Sequence, residues 1–148
     1  MELKSRVFLD TNVLVDVLMD ESRPSYACST RIFQFAKQSK LEAFITTQSI
    51  IDASYICSKI PGKRSMFFRD EILKLLNYIN VEHIDTFDIR DAIKIGGSDF
   101  EDDALFAHAE SKGVDVLVTS DRKFISSHPA TDMFVMTPED FMSHLKQE

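Results

Sequence analysis

Cysteine is nearly absent from this chain: Cys28 and Cys57 are the only two in 148 residues, and their spacing matches no metal-ligand pattern. A disulfide framework and a structural zinc site are therefore excluded. Each cysteine sits in an apolar pattern of helical period, which predicts buried free thiols. Long apolar runs are also missing. None approaches the ~20 residues that cross a bilayer, and the N-terminus lacks the charged, apolar and small-residue order of a secretion signal. A cytoplasmic protein outside the membrane is expected. Excess positive charge is missing too, since 17 Lys and Arg face 24 Asp and Glu for a net charge of −7. This argues against a protein that holds nucleic acid through bulk electrostatics. It does not exclude a nuclease, because carboxylates gathered around divalent cations contribute to such a balance and the cations reverse the local sign where a phosphate must sit. There is no internal repeat, low-complexity tract or linker. At 44% hydrophobic the length suffices for one well-buried core and not for two domains of ordinary size, so residues 1–148 are read as a single domain.

What is present is an alternation of short apolar strands and helical patterns. Arg6 to Leu9 reads as a strand and Asn12 to Met19 as a helix, followed by a helix from about Ser25 to Ser39 in which Cys28, Ile32, Phe35 and Ala36 recur at spacings of three and four. Glu42 to Thr46 is the next strand, and Gln48 to Ile60 a helix stopped by Pro61-Gly62. A helix over Lys63 to Ile79, a strand near Val81 to Ile84 and a helix over Phe87 to Ile95 lead to the breaker pair Gly96-Gly97. The following helix starts near Glu101, with Ser98 and Glu101 in the S-x-x-E capping-box relation, and ends at Gly113. Strand Val114 to Thr119 and a turn region containing Pro129 precede a strand over Met133 to Met136. Thr137 as N-cap and Pro138 at the first helical position open the last helix. Alternation of this kind predicts an α/β fold, a three-layer α/β/α sandwich around a parallel sheet.

Acidic residues fall where this pattern gives them meaning. Asp10 and Asp121 end strands, Asp52 lies early in a helix that follows a strand, and Asp99, Asp102 and Asp103 cluster at the start of the helix after the glycine pair. With right-handed crossovers, helices that follow strands begin at the sheet edge where those strands end, so these carboxylates converge. Hard divalent ions such as Mg2+ or Mn2+ take oxygen ligands of this kind. Structural roles compete with the ligand role: Asp99 reads as a helix cap and Asp102 as a partner of the helix dipole. Asp103 borders a face carrying Ala104, Leu105, Ala107 and Ala109, where a carboxylate needs a partner or a metal. Asp52, among Ile50, Ile51, Ala53, Tyr55 and Ile56, is also close to a buried surface. Asp16, Asp20 and Glu21 read as helix-end and loop residues, and Asp115 as solvent-facing. Lys59, Lys63, Arg64 and Arg69 divide between phosphate contacts and a solvated helix face. The four histidines show no metal-ligand grouping and receive no role.

The motifs Phe8-Leu-Asp10-Thr-Asn-Val-Leu-Val-Asp16, Thr46-Thr-Gln-Ser-Ile-Ile-Asp52, Asp103-Ala-Leu-Phe-Ala-His-Ala109 and Leu117-Val-Thr-Ser-Asp121-Arg-Lys-Phe124, with the closing Val135-Met-Thr-Pro-Glu-Asp-Phe141, resemble the PIN domain family over nearly the whole chain. The resemblance implies a metal-dependent ribonuclease using Mg2+ or Mn2+, with RNA as substrate. It also implies a VapC-like toxin, with an antitoxin protein and a homodimer among its partners. Carried over by position, it makes Asp10, Asp52, Asp103 and Asp121 the acidic constellation, with Asp10, Asp103 and Asp121 on the metal. Thr11 and Asn12 would shape that site, Thr119 or Ser120 would offer a hydroxyl beside Asp121, and Asp99 and Asp102 would be outer ligands. Arg122 and Lys123 would meet the RNA strand. The family usually has Glu where this chain has Asp52, one methylene shorter.

The competing expectation is a PIN-like binding or scaffold protein with little or no nuclease activity, favoured by the negative charge and Asp52. Retention of four acids favours the enzyme. A phosphotransfer domain would want an acidic pair at the first strand end and a lysine after a later strand. A haloacid-dehalogenase-type phosphatase would want Asp-x-Asp where this chain has Asp10-Thr-Asn12.

Overall fold

A computed structural model of the chain describes residues 4–19, 22–59 and 65–146. The expected helix stop at Pro61-Gly62 lies outside the described residues, as do Asp20, Glu21, Ile60, Lys63 and Arg64. Five strands, β1 (Arg6–Leu9), β2 (Glu42–Thr46), β3 (Asn80–Glu82), β4 (Val116–Val118) and β5 (Phe134–Met136), form one sheet in the order β3-β2-β1-β4-β5. Every pairing is parallel. Helices α1 (Thr11–Met19), α2 (Tyr26–Lys37), α3 (Thr47–Ser58), α4 (Ser65–Leu75), α5 (Thr86–Ile95), α6 (Phe100–Ser111), α7 (Arg122–Ser127) and α8 (Pro138–Lys146) complete the described elements.

The alternation of side chains along the strands sorts the core into two layers. Val7, Leu9, Ala43, Ile45, Val116 and Val118 face one buried cluster with residues of α1, α2, α3 and α8. Phe8, Phe44 and Leu117 face the other, against Leu105, Phe106 and Ala109 of α6 and Phe124 of α7. This is the expected three-layer sandwich. β1 lies at its centre, so Asp10, the residue after it, is fixed between the ends of β2 and β4.

Side-chain oxygens cap the helices that begin near this edge. Thr46 accepts from Ser49 N, Asp99 from Asp102 N, and Thr137 from Asp140 N. Asp85 and Asp88 form a reciprocal capping box at the start of α5. Three differences from the sequence reading have physical causes. Asp99 caps α6, as read from the sequence, but Ser98 does not cap it in a box with Glu101, because the chain enters the helix one residue later than the S-x-x-E pattern suggests. Helix α7 occupies what reads as a turn; six residues carry too few turns to show a period. Asp16 is no helix-end residue at the surface but is buried within α1, where Arg23 and Ser29 satisfy its carboxylate. Both cysteines are free, Cys57 buried and Cys28 partly so. Among the described residues no helix is long and apolar enough to cross a membrane.

Candidate active site

Asp10 is held by its own neighbourhood. Its backbone N–H donates to Val118 O of β4, while its Oδ1 accepts from Thr11 N at 2.7 Å. Its Oδ2 accepts from the Thr119 hydroxyl at 2.8 Å and from Asn12 Nδ2 at 3.1 Å. Thr119, the first residue after β4, also accepts from Asn12 Nδ2 and from Asp121 N. Asn12 Oδ1 accepts from Ser120 N. Thr11, Asn12 and Thr119 thus lock the ends of β1 and β4 together and fix one carboxylate. Thr119, rather than Ser120, is the hydroxyl that reaches an acid, and it reaches Asp10; the Ser120 hydroxyl is buried without a hydrogen-bond partner. Thr11 Oγ1 donates to Ser49 Oγ at 2.9 Å and ties this corner to α3.

A cleft of about 640 Å3 opens over Asp10, lined also by Thr11, Asn12, Asp52, Glu101 and Asp102, with Ile51 and Tyr55 on its apolar wall. A smaller cavity of about 310 Å3 lies on the other side of Asp102, between Asp99, Asp103, Asp121, Lys123 and His128. Asp102 borders both.

Electrostatics tie the acids together. Desolvation raises the pKa of Asp10, and the charge of Asp121 raises it further against the opposing hydrogen bonds. Asp102 is pushed up to about 7, by desolvation first and then by the charges of Asp99, Asp10 and Asp121. Glu101 is raised by desolvation first and then by the charges of Asp52 and Asp10. Asp52 Oδ1 accepts from Gln48 Nε2 at 2.9 Å. Asp10, Asp102 and Asp121 therefore repel one another from three separate segments at one sheet edge, and Asp52 with Glu101 forms the facing wall.

Asp103 is placed differently. It is buried, Oδ1 lies 2.7 Å from His128 Nε2, and Oδ2 accepts from Gly97 N at 2.8 Å. Both oxygens are engaged, and it does not line the cleft over Asp10. Of the two adjacent acids, Asp102 faces Asp10. Asp99 caps α6 and lines the smaller cavity. Asp121 caps α7 through Oδ1, which accepts from Lys123 N and Phe124 N. Arg122 and Lys123 are both exposed, and Lys123 borders the smaller cavity. Sequence reasoning assigned Glu101 only to a cap and His128 to nothing. A glutamate one position before the acid pair was the available signal for the first; the second depends on a contact 25 residues away in the chain. Among the described residues no three His, Cys, Asp or Glu side chains close on one point as a preformed metal cage; the acids form an open wall.

An all-parallel α/β sandwich with an acidic cleft at the carboxyl ends of its central strands defines a class of site-bearing domain. The chain belongs to the PIN domain family, whose description matches residues 6–123. It is 25% identical over 141 residues to Ribonuclease VapC1 of Aquifex aeolicus (strain VF5), with 92% of each chain covered. Its fold is similar to that of VapC20 of Mycobacterium tuberculosis, described as a Sarcin-Ricin loop cleaving toxin, at a TM-score of 0.65 and 14% identity over 84% of this chain and 96% of that one. It is also similar to a chain of VapBC2 from Rickettsia felis bound to a DNA fragment from their promoter, at a TM-score of 0.63 and 16% identity over 89% of this chain and 98% of that one.

Proposed function

We propose that this protein is a metal-dependent endoribonuclease acting as the toxin of a toxin–antitoxin pair. The observation that carries the reading is the placement of Asp10 and Asp102 in one cleft, with Asp121 in the cavity that Asp102 also borders; burial first, and then the charges of Asp99, Asp10 and Asp121, push the Asp102 pKa up to about 7. Carboxylates held in such proximity are costly unless a cation joins them. The cleft suits a hard divalent ion such as Mg2+ or Mn2+, since among the described residues its candidate ligands are carboxylates, hydroxyls and an amide, beside the one guanidinium of Arg23, with no sulfur or imidazole. We assign Asp10, Asp102 and Asp121 to hold it, and Asp102 rather than Asp103 because Asp102 lines the cleft beside Asp10 whereas Asp103 is buried outside it against His128 and Gly97. When bound, the ion would supply Lewis-acid polarisation of a phosphodiester and a more acidic water. Thr119 and Asn12 keep Asp10 in one orientation, His128 and Gly97 hold Asp103 behind the cluster, and Arg122 and Lys123 offer positive charge to the RNA strand beyond Asp121.

The ribonuclease activity is supported by the relation to Ribonuclease VapC1, and the pairing with an antitoxin by the likeness to the VapBC2 chain. Ile51 and Tyr55 on α3, Leu73 on α4, and Phe87 and Ile93 on α5 are exposed apolar side chains available to an antitoxin or to a second copy in a homodimer. The test is cleavage of RNA by the purified chain in Mg2+ or Mn2+, compared with Asp10→Asn. Loss of cleavage by orders of magnitude in a folded Asp10→Asn variant is expected. No cleavage by the unmodified protein with either ion, together with unchanged partner binding by Asp10→Asn, would replace the enzyme with a scaffold.

A further inference from the structure

The acidic cleft has one basic residue among its described lining, Arg23. Arg23 lies just before α2, and its Nε donates to Asp16 Oδ1 at 2.7 Å. Asp16 is 2% exposed, and its second oxygen accepts from Ser29 Oγ at 2.9 Å. The ion pair is thus made through a single guanidinium donor out of five, because the other Asp16 oxygen belongs to Ser29. Arg23 Nη1 lies 3.5 Å from Met19 Sδ, a weak acceptor, and the side chain remains 32% exposed at the cleft. A guanidinium clamped at Nε and, among the described residues, bound at its far edge only by the weak contact to Met19 Sδ has the geometry that receives a phosphate.

We infer that Arg23, oriented by the buried Asp16, binds a phosphate of the RNA strand at the mouth of the acidic cleft. The inference rests on the ribonuclease reading and adds to it a substrate contact in the cleft over Asp10, which Arg122 and Lys123 do not line. In a chain of net charge −7, such a cation offsets the repulsion between the backbone of the strand and the cleft wall, and it sets where the strand enters. Arg23 touches substrate in this account; Asp16 and Ser29 position it.

The test uses the full chain with a labelled single-stranded RNA oligonucleotide, measuring Kd by anisotropy in Ca2+ over a range of salt, and kcat and KM for cleavage in Mg2+ or Mn2+. Removing Arg23 alone strands the buried Asp16, so the informative variants are Arg23→Lys and the double variant Asp16→Asn with Arg23→Gln. The double variant is expected to raise Kd and KM about tenfold, leave kcat within about twofold, and reduce the salt slope by about 0.7 for the loss of one phosphate contact on a single strand. Arg23→Lys is expected to raise Kd about threefold with its slope retained. A folded double variant with unchanged Kd and slope overturns the inference, as does a wild-type chain that binds no RNA. If the double variant does not fold, an unchanged Kd and KM in Arg23→Lys overturns it and a rise in both supports it. A wild-type chain that binds RNA without cleaving it removes the nuclease reading, while the Kd comparison still decides the role of Arg23.

Discussion

His128 Nε2 lies 2.7 Å from Asp103 Oδ1, and Nδ1 of the same ring lies 2.9 Å from the Phe124 carbonyl. A carbonyl only accepts, so Nδ1 donates there, and the contact with Asp103 is a hydrogen bond only with a proton between nitrogen and carboxylate. The ring is packed between Phe106 and Phe124, with centroids 4.8 and 4.7 Å away. Removing it leaves a buried carboxylate without its main partner. His128→Ala is therefore expected to destabilise the fold by about 3 kcal/mol in denaturant unfolding, whereas a folded His128→Gln should lose far less cleavage than Asp102→Asn.

Gly97 is the second support of Asp103. A Cβ added there would lie 2.7 Å from Asp103 Oδ1 and 2.8 Å from Oδ2. The carboxylate cannot swing aside cheaply, because His128 holds it. Gly97→Ala should cost about 1–3 kcal/mol, as overpacking in a tight site does, and should lower the melting temperature. Gly96 has φ of 64° as the left-handed end of α5, but an added Cβ there meets only ordinary contacts, so Gly96→Ala should act through backbone strain alone.

The sheet, its layers and the sheet edge that carries the acids were legible in the sequence, because strand apolarity ends abruptly at Asp10 and Thr119 and each helix that follows has a period. The choice between Asp102 and Asp103 was not. Adjacent helical residues point about 100° apart, and the Ala-Leu run after Asp103 marks an apolar face without saying which acid meets Asp10. The partners that settle it, His128 and Gly97, are distant in sequence or lack a side chain. Asp16 was missed for a related reason: its ion pair with Arg23 spans a break between helices that carries no periodic signal.

Asp102 makes metal-free stability depend on pH. Its folded-state pKa of about 7 lies above the ordinary 3.8, so the folded chain keeps a proton that the unfolded chain releases. Its contribution is fully present below about pH 4 and is lost as pH rises through about 7. Melting temperature without divalent ions should fall across that window. Asp102→Asn should flatten the fall and melt higher than the unmodified protein at neutral pH.

Millimolar Mg2+ or Mn2+ should reverse part of this loss, because an ion that binds only the folded cluster stabilises it by mass action. Binding should strengthen as pH rises through about 7, where the Asp102 proton no longer competes. The check is the melting shift on adding metal to the unmodified chain and to Asp10→Asn. An equal shift in the two would sink the assignment of Asp10 to the ion.

Asp52 and Glu101 both line the cleft over Asp10, and the charge of Asp52 helps raise the Glu101 pKa after burial; the pair bears on the shorter acid at position 52. Gln48 Nε2 holds Asp52 Oδ1 at 2.9 Å, which keeps that carboxylate close to α3. Glu101, reaching from α6, extends the facing acidic wall toward Asp10, whose charge contributes to its raised pKa. If Glu101 supplies the reach that Asp52 lacks, Glu101→Gln should reduce cleavage about tenfold or more while keeping the size and polarity of the side chain. Asp52→Glu alone should change cleavage by less than about threefold, since it adds a second long acid to a wall that has one. In the Glu101→Gln background, however, Asp52→Glu should restore cleavage, a non-additivity expected of contacting residues that perform one task. Additive losses in the double variant, with melting temperatures unchanged, would show that the two acids act separately.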